Sequence, residues 1–96
     1  MKTLQIDEKE VRREVWRLKA IETLRWIQKA AWELERGYPE HHYPWFYFAN
    51  IRIGAKWLRE QLETGKRQFD EDVRVKVKKL LDQLDAALEP EFWKDA

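Results

Sequence analysis

Three runs of apolar residues at helical spacing, interrupted only near Gly37 and Gly65 and closed by Pro90, leave this chain little choice of fold class. The first run predicts a helix over about 7–36. Asp7 can accept hydrogen bonds from first-turn amides, with Glu8 and Glu10 beside the positive helix end. Glu8 stands four residues before Arg12, the favourable order for a helix pair, and Gly37 is expected to supply a left-handed stop. The second run predicts a helix over about 44–64, with Pro44 at the first helical position and Gly65 as the stop. Its stripe is Phe48, Ile51, Ala55, Leu58 and Leu62. The third run, about 70–89, starts at a capping Asp70 and is supported by Asp70–Arg74 and Asp72–Lys76 pairs. Its stripe is Val73, Val77, Leu80, Leu81, Leu84 and Leu88. The piece "VRVKV" (73–77) alternates like a strand, but the longer helical period around it favours a helix.

The fold class is therefore all-α: one helical domain over 1–96, built as a three-helix antiparallel bundle with short connections. A chain of 96 residues should bury about 60–65% of its unfolded surface.

Within the first helix the apolar stripe changes sides. At 100° per residue Val11, Val15, Leu18 and Ile21 share one side, while Leu24, Ile27, Ala30, Ala31 and Leu34 share roughly the opposite one. Either the two halves face different neighbours, or the helix breaks near Lys19–Ile21 and the bundle has four helices. About 30 residues span roughly 45 Å, whereas the second helix covers only about 30 Å of that length. The turns carrying Val11, Val15 and Trp16 should overhang, to be covered by the third helix and the tail "EFW" (91–93) or by another molecule. The second helix carries a further apolar set, Phe46, Ile53 and Trp57, expected to be buried by three-way packing. Gly54 lies between its two faces, where a close helix contact would account for it.

Composition narrows the chemistry. Cysteine is absent and so is serine, which excludes disulfides, thiolate metal sites, and serine or cysteine nucleophiles. Nineteen basic and 18 acidic residues leave a net charge of +1, so whole-chain charge offers no concentrated positive surface for nucleic acid. No apolar run approaches the ~20 residues needed to cross a bilayer. The opening "MKTLQIDEKE" lacks a signal-peptide core. The expected setting is cytoplasmic or recombinant.

One stretch stands apart. "YPEHHYPWFYFAN" (38–50) holds both histidines and, in its first eleven residues, six of the thirteen aromatics. His41 and His42 with Glu40 are plausible ligands, but adjacent histidines rarely converge on one ion, and a zinc site of three or four protein ligands would need carboxylates or a second chain to complete it. Trp45, Phe46, Tyr47 and Phe48 begin a helix and point 100° apart, so they cannot form one flat shelf for bases. Stiffened by Pro39 and Pro44, the stretch reads as a plug that buries Trp45 and Phe48 at the bundle end and leaves the histidines wet.

Two resemblances follow from these residues. A long helix ending in Gly-Tyr, an aromatic loop and "WFYFANIRIGAKWLREQL" make residues 26–62 similar to the opening hairpin of the HEPN family. That resemblance implies a four-to-five-helix dimer, often an RNase with an Arg-x4–6-His motif, for which Arg36 and His41 have the spacing. Capped starts at Asp7 and Asp70, glycine stops, and runs such as "DEKEVRREV" also make the chain resemble a computationally designed (de novo) helical protein. The leading expectation is a non-catalytic, thermostable structural bundle, with a designed origin and no natural function as one route to it. No catalytic residue, cofactor or metal is assigned. The alternative is a natural interaction module, homodimeric through Val11, Val15, Phe46 and Trp57, and after it the HEPN-like RNase.

Overall fold

The computed structural model describes residues 7–89, which form three helices and no strand: α1 (Glu8–Glu35), α2 (Tyr43–Glu63) and α3 (Glu71–Ala87). The helices start as local chemistry dictates. Asp7 accepts from the Lys9 amide at 2.9 Å, and Asp70 from the Val73 amide at 2.8 Å, each satisfying an amide that the helix itself leaves unpaired. The alternating "VRVKV" is helical: Val73 and Val77 turn inward while Val75 faces out. Arg74 closes on Glu71 at 2.6 Å rather than on Asp70, whose carboxylate is occupied as the cap. Lys76 pairs with Asp72 at 2.7 Å as expected.

The helix ends depart from expectation at one point. Gly65 does take a left-handed conformation, with φ of 74°. Gly37 does not: its amide donates to the Leu34 carbonyl and that of Tyr38 to Glu35, so α1 unwinds through tightened right-handed turns. The left-handed residue of this connection is His41 instead, with φ of 68°. From there α2 begins one residue early, at Tyr43, leaving Pro44 at its second position.

Side-chain pairs set the arrangement. Arg17 reaches Leu62, Gln28 reaches Arg59 and Glu35 reaches Arg52, so α1 and α2 run antiparallel along most of α2. Tyr47 donates to the Gln83 carbonyl, and Gly54 faces Leu80, which makes α3 antiparallel to α2. The core is formed by Leu24, Ile27 and Ala31 of α1, Phe48, Ile51, Ala55, Leu58 and Leu62 of α2, and Val73, Val77 and Leu84 of α3. Leu88, expected in the α3 stripe, is exposed past the last helical turn.

The side-switching stripe is resolved without a break, since α1 is continuous for 28 residues. At about 42 Å it outruns the roughly 32 Å of α2. The described hydrogen bond to α2 nearest its start is the 3.0 Å one from Arg17 to the Leu62 carbonyl. Before that point Val11 and Val15 stay 47% and 45% exposed, so α3 does not fold back over them. The tail at 91–93, proposed as part of that cover, lies outside the described residues. The second face of α2 is likewise not buried by three-way packing: Phe46, Ile53 and Trp57 all remain about half exposed. Of the three described helices, α1 and α3 both pack on the buried face of α2.

Candidate functional site

The aromatic stretch packs partly as a plug. Phe48 is buried and stacks against Tyr38, with ring centroids 5.8 Å apart. Trp45 is half-buried and meets Phe46 edge-on at 5.0 Å. His41 and His42 are exposed, and the His41 ring leans on Trp45 and Phe46 at 5.5 and 5.9 Å. The Tyr47 hydroxyl donates to the Gln83 carbonyl at 2.9 Å, and burial, with Tyr43 nearby, pushes its phenol pKa up. Among the described residues no three His, Asp or Glu side chains converge as metal ligands would. Arg36, one half of the Arg–His spacing, lies over the Trp32 ring at 4.5 Å, and His41 stands against its own aromatic neighbours.

Two surfaces that extend beyond this stretch hold more of the molecule's unusual chemistry. The first is apolar. On the outer side of α1, opposite its core face, Val11, Val15, Leu18 and Trp26 follow one another at helical spacing, all about half exposed. Phe46, Ile53 and Trp57 do the same on α2. Scattered exposed hydrophobics are ordinary, but contiguous ones mark interaction surfaces. At the edge of the overhang Trp16 stacks on Phe69 at 6.5 Å, which ties the α2–α3 connection to α1.

The second is basic. A groove of about 580 Å³ between α1 and α2 is lined by Arg25, Lys29, Arg52, Lys56 and Arg59 with Gln28 and Trp32, and no carboxylate is among the described lining residues. The carboxylates at its margins are engaged. Glu35, the one buried charged residue described, takes a two-point contact from Arg52 at 2.7 and 3.3 Å. Glu63 accepts from Arg25 at 2.9 Å and Arg59 at 3.1 Å, and the Arg59 hydrogen bond, assisted by Arg25, lowers its pKa. Gln28 accepts from Arg59 at 3.1 Å.

This groove escaped sequence reasoning, because its cations come from two helices and disappear in a near-neutral total. One signal was available. Glu35 follows Leu24 and Ala31 on the core side of α1, where a carboxylate requires a partner. No described helix is long and apolar enough to cross a membrane. Compared with family models, curated proteins and solved structures, the chain matches none.

Proposed function

We propose that this chain is a non-catalytic helical structural module that assembles with a second copy of itself through its outward apolar faces. The observation that carries this reading is the stripe Val11–Val15–Leu18–Trp26, lying on the far side of α1 from the core. The α1 overhang leaves the first part of that stripe beyond the reach of α2, while a second α1 of equal length can lie along all of it. Glu22 stands within the stripe between Leu18 and Trp26, with Lys19 at its edge, so two copies related by a two-fold axis can set Glu22 of one against Lys19 of the other. The α2 stripe of Phe46, Ile53 and Trp57 supplies further apolar area to the same assembly.

Light scattering over about a hundredfold dilution tests this mass-action behaviour. A mass rising toward the dimer with concentration is expected, and Val11→Asp with Val15→Asp should return it to the monomer while helical circular dichroism stays unchanged. A wild-type monomer at every concentration would overturn the proposal.

A further inference from the structure

The groove between α1 and α2 has a chemistry that calls for a ligand the apolar stripes cannot serve. Five cations line it and a sixth, Arg36, stands over Trp32 at its side. Among the described residues, neither Lys29 nor Lys56 has a carboxylate within ion-pair distance. The arginines are held in place by hydrogen bonds: Arg52 by Glu35, Arg59 by Gln28 and Glu63, and Arg25 by Glu63. Cations three or four residues apart on one helix stand about 4.5–6 Å apart along its axis. Two such rows therefore run side by side, facing one groove.

We infer that this groove binds single-stranded nucleic acid, with Lys29, Lys56 and the arginine rows on the phosphates and Trp32 as a stacking platform for a base. A dense, flexible polyanion fits a groove lined by five cations, of which Lys29 and Lys56 are not taken up by a described carboxylate, and releasing its counterions drives binding. Trp32 is 45% exposed, and the Arg36 guanidinium over its ring adds a planar cation to the stacking surface. An acidic peptide would match the charge but has no use for an exposed indole beside it. A near-zero net charge does not oppose binding, because the field over one groove is set by the groups nearest to it.

The test is fluorescence anisotropy of a short labelled oligothymidylate with the full chain over a salt series. Contact with three or four phosphates predicts a slope of log affinity against log salt of about −2 to −3. Lys29→Glu with Lys56→Glu should weaken binding roughly tenfold and flatten that slope by about 1. Trp32→Ala should weaken it at least about fivefold, Trp32→Phe should retain most of the affinity, and Lys78→Glu on α3 should bind as the wild type does. Circular dichroism confirms that each variant is folded. The inference is overturned by absence of binding at low salt, by unchanged affinity in either the lysine pair or Trp32→Ala, or by polyglutamate displacing the oligonucleotide as well as unlabelled oligonucleotide does.

Discussion

Glu35 of α1 and Arg52 of α2 meet through two hydrogen bonds, 2.7 and 3.3 Å, with the carboxylate buried and the guanidinium partly open to water. This contact joins the two longest described helices near the α1–α2 connection and lies at the margin of the basic groove. Glu35→Ala leaves Arg52 without its partner in a half-buried position. Because Arg52 can still reach water, the cost should fall below that of a fully buried pair, at about 2 kcal/mol. Glu35→Gln, which keeps one acceptor, should lose less. Urea unfolding of the two variants gives both numbers, and equal stability of wild type and Glu35→Ala would show that the pair contributes nothing net.

Gly54 lies inside α2 where it crosses α3. A Cβ built there would stand 3.5 Å from Leu80 Cδ2, an ordinary van der Waals contact. The close approach that would justify a glycine is therefore not close enough to exclude alanine. Gly54→Ala should stabilise the fold by about 0.5–1 kcal/mol, through helix propensity and a less flexible unfolded chain. A lower melting temperature would mean that α2 and α3 pack more tightly than this separation.

Asp70 caps α3 through the Val73 amide at 2.8 Å. Asp70→Ala should cost about 1 kcal/mol, and Asp70→Asn much less, since asparagine can accept the same hydrogen bond. Thermal unfolding of the two variants separates loss of the cap from loss of the charge.

Acid should weaken the fold. Lys76 holds the Asp72 carboxyl below its ordinary pKa, Arg74 does so for Glu71, Arg17 for Glu14, and Arg59 with Arg25 for Glu63. With the folded pKa depressed, the unfolded chain takes up these protons first as pH falls. The stabilisation is thus present above the ordinary carboxylate range of about 3.9–4.3 and is lost as pH drops through the lower folded values. Melting temperature should fall below about pH 4, Asp72→Asn should shallow that limb, and added salt should shrink the effect because these carboxylates are exposed.

Alkali acts through Tyr47 with the opposite sense. Its folded pKa is raised by burial, so its contribution is present below the ordinary phenol value of about 10 and is lost as pH rises through the folded one. Tyr47→Phe should flatten the alkaline limb of the melting profile. It should also lower stability slightly at neutral pH, through loss of the hydrogen bond to Gln83.

Helix count, the caps at Asp7 and Asp70, the Gly65 stop, the inward stripes and the overhang of Val11 and Val15 were all legible in the sequence. Each depends on a repeat of 3.6 residues, on a side chain two or three positions from the amide it serves, or on length alone. Tertiary structure decided the rest. It moved the left-handed residue from Gly37 to His41, left Phe46, Ile53 and Trp57 outside the bundle, and ran α1 unbroken past its partner. It also set Arg25 and Lys29 opposite Arg52, Lys56 and Arg59, and gave Glu35 its partner 17 residues away. Charges on separate helices have no sequence period in common. Only the register in which two apolar stripes interlock determines which of them come to face one another.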